Sequence, residues 1–404
     1  MSGTKFLHSG GMAHRPWRVI GYGHSGAAGD GCVDPTNNAA IYKLAKILTN
    51  NDGRAYVYAA GGRVLCYDGL KSRPGIPGAK GWPMLYAAAP YAAVQRKLWI
   101  TPDRPGVAVF WCGAGDHLTA PAATIGDAFK QTLHACLCRM RSHYYVNDPG
   151  TTGTTGTWTG TAATGDNGPS SNHWQVATSG AGASRSITIS TAMATPYAGR
   201  RINVGWCVTG NAWQTATVRA KVDGGSWVTK TIRAADGNMQ PAVIQVVQPT
   251  AQAASLVVEV VSVDAGATVG LDWIGVEARY PPLIGIPEVN RILTPTGYTT
   301  VVAQAWPNAA SLNPVNGYAG ADAFNALIDS VVDEFNAIDA PAKRTVKLPI
   351  NSVIPDMASE EWYHSDGMHF HEGSHSLLAG AWADTFASLI RSDYDQMNNV
   401  LGTG

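Results

Sequence analysis

The stretch WRVIGYGHSGAAG, residues 17–29, runs from an apolar segment straight into a turn of glycine, histidine and serine. WRVIGY (17–22) reads as a short strand. A serine set directly after such a strand, among glycines, predicts a tight turn at the carboxyl end of a parallel sheet, where open α/β folds bind ligands. Gly/Ser turns also close many strands without doing chemistry, so the neighbouring segments decide. NNAAIYKLAKILT (37–49) places Ile41, Leu44, Ala45 and Leu48 at helical spacing, with Thr36 or Asn37 as cap. RAYVYAA (54–60) is a second strand and ends at Gly61-Gly62; GVAVFWC (106–112) is a third and ends at Gly113; residues 122–143 form a further helix. Apolar strands alternating with helices predict a parallel sheet covered on both faces.

The character of the chain then changes. Residues 146–165 are rich in Thr and Gly and lack helical periodicity, and from about 166 to 279 the sequence is a run of strands: SITIST, RINVGWCVTG, ATVRAKV, WVTKTIRA, AVIQVVQ, SLVVEVVSV and GLDWIGVEA. VDGGSW (222–227) carries a hairpin signal. Short strands separated by turns predict a sandwich or jelly roll. After Tyr280-Pro281-Pro282 the α/β pattern resumes, with a strand at 283–289, a helix at 321–338, a strand at 345–350 and a last helix from about 373. The expected division is an N-terminal arm (1–16), an α/β domain in two parts (17–145 and 281–404) and a β domain inserted between them (146–280), as insertions are tolerated at loop tips.

Composition narrows the function. The 404 residues carry 29 basic and 29 acidic side chains, a formal net charge of zero, with no basic stripe to bind nucleic acid. Charged residues are only 14% of the chain, and 45 glycines help fill the balance, a pattern that suits β-rich proteins of the extracellular space or of virions. The first residues have no apolar core of a signal peptide, and no apolar run is long enough to span a membrane. The six cysteines form no disulfide framework and are expected as buried thiols.

A second chemical signal lies in residues 364–379, HSDGMHFHEGSHSLLA, where four of the 11 histidines fall within twelve residues. Asp366 and His369 stand three apart before the last helix, so one loop can turn both toward a serine, the carboxylate orienting the imidazole. Ser25, Asp366 and His369 complete the order Ser, Asp, His.

Together the two segments resemble the SGNH/GDSL hydrolases, which open with a Gly-Asp-Ser turn and close with an Asp-x-x-His block before their last helix. Asp366-Gly367-Met368-His369 matches that block. The resemblance covers roughly residues 17–145 and 282–395. It implies a flavodoxin-like parallel sheet interrupted here by an all-β sandwich, and ester hydrolysis through an acyl-enzyme with no metal or organic cofactor. Ser25 is the implied nucleophile, His369 the base and Asp366 its orienting acid. The implied oxyanion donors are the backbone N–H groups of Ser25 and of Gly62, or else Gly61, with Gly115, or a side chain such as His117 or Asn316, in the third place. His24 stands where the family has Asp. Gly113-Ala114-Gly115-Asp116 stands where it has Gly-x-Asn-Asp, so Gly115 lacks the usual side-chain amide. His24, Asp116 and His117 are candidate pocket residues.

Two other motifs overlap these residues. Gly23-His24-Ser25-Gly26-Ala27 approaches the G-x-S-x-G elbow of α/β-hydrolases, but only one strand precedes it and its fifth residue is Ala. His371-Glu372-Gly373-Ser374-His375 is formally H-E-x-x-H, yet no following Glu or His supplies the third ligand zinc needs. In the β insert, Trp158, Trp174, Trp206, Trp213, Trp227 and Trp273 make six of the chain's 13 tryptophans. Most are expected in the core, with one or two free to stack on sugar rings. GLDWIGVEA resembles the last strand of jelly-roll carbohydrate-binding modules.

The expected activity is hydrolysis of acyl esters, O-acetyl groups included, on a cell-envelope glycan or glycolipid. The layout resembles actinobacteriophage minor tail proteins, which implies a place in a virion tail or outside cells, as a homo-oligomer or beside other tail proteins. The alternative is a non-catalytic receptor-binding tail protein with a degenerate esterase domain.

Overall fold

The computed structural model describes residues 18–49, 54–59, 65, 106–119, 122–147, 153–162, 173–177, 180–188, 201–210, 214–234, 240–247, 255–277, 281–291, 317–354, 362 and 369–401. In chain order, the first elements are β1 (Arg18–Gly23), α1 (Ser25–Ala28), α2 (Pro35–Asn38), α3 (Ala40–Thr49), β2 (Arg54–Ala59), β3 (Val107–Trp111), α4 (Ala114–Thr119) and α5 (Ala122–Arg141). A run of strands follows: β4 (Ser142–Asn147), β5 (Gly153–Thr155), β6 (Trp158–Ala162), β7 (His173–Ala177), β8 (Ser184–Thr188), β9 (Arg201–Thr209) and β10 (Thr215–Val222). It continues through β11 (Val228–Arg233), β12 (Gln240–Val247), β13 (Ser255–Val263) and β14 (Thr268–Glu277). The last elements are β15 (Leu283–Pro287), α6 (Gly317–Asp339), β16 (Thr345–Leu348) and α7 (Glu372–Leu401).

Five strands form one parallel sheet in the order β16-β15-β3-β1-β2. Numbered along the chain, that is the 2-1-3-4-5 order of flavodoxin-like sheets, whose switch point lies between β1 and β3. Alternate residues point to opposite faces. Ile20, Tyr22, Ala108, Phe110, Ile284 and Ile286 pack under α5 and α6. Val19, Val107, Val109, Trp111 and Leu283 pack on the other face under α3 and α7. Gly23 closes β1 where no side chain fits: a Cβ there would lie 2.2 Å from the Trp111 carbonyl oxygen. Strand β1 can therefore run hard against β3 up to the residue before His24.

The remaining strands build two facing antiparallel sheets, β11-β10-β13-β8-β5 and β12-β9-β14-β7-β6, with β4 added on β14. Strand β10 alternates buried and half-buried residues, the mark of a sheet with one face in solvent. Strands β9 and β14 are buried almost throughout. Their sheet lies between two partners: Trp206, Val208 and Ile274 face the sandwich core, while Cys207 and Trp273 join the core around α5. Polar groups stitch the same seam. Gln131 donates to the carbonyls of Arg233 and Pro241, and its own oxygen accepts the Arg233 N–H. Arg141, fully buried, pairs with Glu277 of β14 at 2.5 Å and with Asp339 of α6 at 2.5 Å.

Three elements differ from the sequence reading. The helix expected at 37–49 is broken at Ala39, which is extended (φ −65°, ψ 148°), because the Ala40 N–H donates to His375 Nδ1. The helix expected at 122–143 ends at Arg141; the β-prone Tyr144, Tyr145 and Val146 instead pair with β14. The Thr/Gly-rich stretch holds the short strands β5 and β6, whose small polar residues carry no apolar alternation to read. Cys112, Cys136, Cys138 and Cys207 are buried free thiols and Cys32 is half-buried. Cys66 lies outside the described residues. No helix among the described residues is long and apolar enough to cross a membrane.

Candidate functional site

The turn after β1 lies at the carboxyl end of the sheet, beside its switch point. Ser25 is the first residue of the one-turn helix α1, and it is half-buried. His24 is its N-cap: the imidazole Nδ1 accepts the Gly26 N–H at 3.0 Å. At the first helical position the Ser25 N–H has no intrahelical acceptor. His24 is 8% exposed and meets Trp111 edge-on, ring centroids 5.8 Å apart. Burial, with the charge of His369 second, pulls the His24 imidazole down to about 3.

His369 reaches this turn through a chain of packing. Gly23, two residues before Ser25, is in register with Trp111. Trp111 stacks on Phe370 at 6.2 Å and meets Trp382 of α7 edge-on at 5.0 Å. Phe370 is buried, and His369 beside it is half-buried. On the other side, Gly31 (φ 95°) comes so close that a Cβ would lie 2.6 Å from the Phe370 carbonyl oxygen and 3.1 Å from His369 Cβ. Glu372 fastens the same contact: it accepts the Val33 N–H and the Asn38 side-chain amide, each at 3.0 Å.

Asp366 lies outside the described residues, but both ends of its loop are held. The Trp362 carbonyl accepts the His371 N–H at 3.0 Å and the Ser374 hydroxyl at 2.7 Å. His375 is wholly buried against Trp111 and Phe370; burial first, then Lys43 and His369, hold it down to about 4. In the H-E-x-x-H segment, the glutamate thus clamps a loop and the second histidine caps α3. Among the described residues no group of His, Cys, Asp and Glu could hold a metal ion.

Gly62 and Asn316 lie outside the described residues. Gly115 is buried in the first turn of α4. Asp116 is wholly buried, and its two oxygens accept the Leu65 N–H at 2.9 and 3.0 Å. It thereby ties Leu65 to the loop that follows β3. His117 packs on α6, edge-on to Phe324 at 5.9 Å and against Gly320; burial pulls it down to about 4. The sequence reading missed Glu372 as a clamp and His24 as a cap. A Glu at the first position of a helix was the available sign for the former.

In the β insert, Trp206 and Trp273 are wholly buried and Trp158 packs partly against the sandwich core. Trp227, in the β10–β11 hairpin, is half-buried. Trp213 and the Trp174 side chain lie outside the described residues.

No family model matches the sequence, and no curated protein matches it. Among solved structures, the chain is similar to the hemagglutinin-esterase of porcine torovirus, at 8% identity and a TM-score of 0.36, over 91% of this chain and 88% of that one. It is also similar to a carbohydrate binding module of Cellvibrio mixtus lichenase 5A in complex with cellotriose, at 14% identity and a TM-score of 0.25, over 34% of this chain and 98% of that one. A further similarity is to CsCBM6-3 from Clostridium stercorarium in complex with cellobiose, at 11% identity and a TM-score of 0.24, over 33% and 92%.

Proposed function

We propose that this chain is a serine ester hydrolase that removes acyl groups, O-acetyl included, from a cell-envelope glycan or glycolipid. The observation that supports the reading is the packing of Phe370 on Trp111 and of His369 against Gly31, which brings the His369 segment from the far end of the chain to the loop that follows the Ser25 turn. Ser25 Oγ attacks the ester carbonyl while His369 takes its proton, and Asp366 orients the imidazole. The tetrahedral oxyanion is met by the N–H groups of Ser25 and Gly62 and by the backbone at Gly115. Collapse expels the alcohol with the proton from His369, leaving an acyl-Ser25. Water, deprotonated by His369, then releases the acid. Residues 17–141 and 281–404 are assigned to the hydrolase unit, 142–280, with β4, to the inserted sandwich, and 1–16 to an arm. The low charge and Gly/Thr-rich insert suit work in a virion tail or outside cells.

A non-catalytic glycan holder is the second reading, favoured by Gly115, which has no side-chain donor where the resembled family has Asn. A fluorophosphonate probe with peptide mapping separates the two. The esterase reading expects the label on Ser25, strongly reduced in His369→Ala. An unlabelled Ser25, or label only at another residue, overturns it.

A further inference from the structure

The outer face of the β10–β11 hairpin holds a half-buried indole with two cations packed over its ring. The Trp227 ring has the Arg219 guanidinium carbon 4.2 Å from its centroid and the Lys221 ammonium 4.5 Å from it. Arg219 and Lys221 are two residues apart on β10, so both rise from the same face of the sheet. That face is otherwise largely hydroxylic: Thr229 stands opposite Arg219, and the Thr217 and Thr231 hydroxyls meet at 3.2 Å. The charges do not cancel. Glu259 opposes Arg219 and pairs with it at 2.8 Å, whereas the neighbour opposite Lys221 on β13 is Val257. The turn that presents the indole is fixed. Asp223 (φ 47°) and Gly224 (φ 73°) give it the handedness of hairpin turns, and the Gly225 N–H bonds back to the Val222 carbonyl at 2.8 Å.

We propose that Trp227, Lys221 and Arg219 form a binding site for a carboxylate-bearing saccharide. The indole supplies an apolar surface the size of a sugar ring, the threonines supply hydroxyl partners, and the surplus cation at Lys221 receives the carboxylate. The two cation contacts hold the ring in place beforehand, which lowers the ordering cost of binding. The site lies apart from Ser25 on another sheet. It deepens the esterase reading, on which its biological sense rests, by giving the substrate polymer a negative charge.

The test is affinity electrophoresis of the full chain through gels containing polygalacturonate, alginate or hyaluronan, each beside its carboxyl-reduced form. Retardation by at least one acidic polymer is expected, above that of its reduced form. Trp227→Ala should weaken it about tenfold. Lys221→Gln should remove the preference for the acidic form, and Lys221→Arg should keep it. Trp227 lies outside the core, so Trp227→Ala should hydrolyse a small chromogenic ester like the parent. No retardation by any of the three acidic polymers, equal retardation by acidic and reduced forms, or an unchanged Trp227→Ala overturns the proposal. Failure here with ester hydrolysis intact leaves the esterase reading standing. Binding without hydrolysis in the parent chain would overturn that reading alone.

Discussion

Glu372 accepts a hydrogen bond from the Val33 N–H at 3.0 Å, across 339 residues of chain. The first residue of the last helix thereby holds the loop that follows the Ser25 turn. Glu372→Ala should lower stability by about 1–2 kcal/mol through the lost acceptor, read by urea denaturation, and should lower turnover by loosening that loop. Because the Glu372 carboxylate and His375 Nδ1 are already engaged, EDTA should leave ester hydrolysis unchanged. Inactivation by EDTA with recovery on added zinc would contradict these roles.

Gly31 gives a sharper probe of the same contact. Gly31→Ala forces a Cβ toward the Phe370 carbonyl and His369 at a positive φ. Turnover should fall on the order of a hundredfold as His369 is displaced, with a stability loss of about 1–3 kcal/mol. Gly182→Ala is the control: its φ is 86°, but nothing lies within 4 Å of the added carbon. It should strain the backbone and leave turnover alone.

Acid should unfold this protein through its buried histidines. His24 is held to about 3, and His117 and His375 to about 4, each mainly by burial, against about 6.5 in the unfolded chain. As the pH falls below about 6.5 the unfolded chain takes up protons that the folded chain refuses, so stability present above that pH is lost down to about pH 4 for His117 and His375 and about pH 3 for His24. His117→Leu should remove roughly 2–3 kcal/mol of that loss at pH 4.5 relative to pH 7, measured by denaturant midpoints at both. A variant with the parent's pH dependence would show that His117 is not one of these groups.

Arg141 joins β14 and α6 from the end of α5. Arg141→Met leaves Glu277 and Asp339 buried without their cation and should cost about 3–5 kcal/mol. Adding Glu277→Gln and Asp339→Asn should recover part of it. Thermal unfolding of the single and triple variants decides between an unpaired-charge penalty and a simple loss of packing.

Much of this architecture is legible in the sequence because apolar periodicity encodes burial. VAVFW and LIGIP, buried on both sides, read as central parallel strands, and TATVRAKV reads as a half-exposed one. Ser25 and His369 are legible as candidates because a serine in a glycine turn after a strand and an Asp-x-x-His block before the last helix occur together in one chain. What was not legible depends on distant partners. Ala39 breaks a helix because His375 claims the next N–H, and Ser142–Asn147 becomes a strand because β14 is there to pair with it. Asp116 binds Leu65, 51 residues upstream, a contact no local pattern announces.

The most direct test of the account is hydrolysis of 4-nitrophenyl acetate by the parent chain and by Ser25→Ala, both shown folded by circular dichroism. Measurable turnover in the parent that falls by at least about a thousandfold in Ser25→Ala is the predicted result. Equal rates in the two proteins, or no turnover of this or any acetylated glycan by the parent, would contradict it.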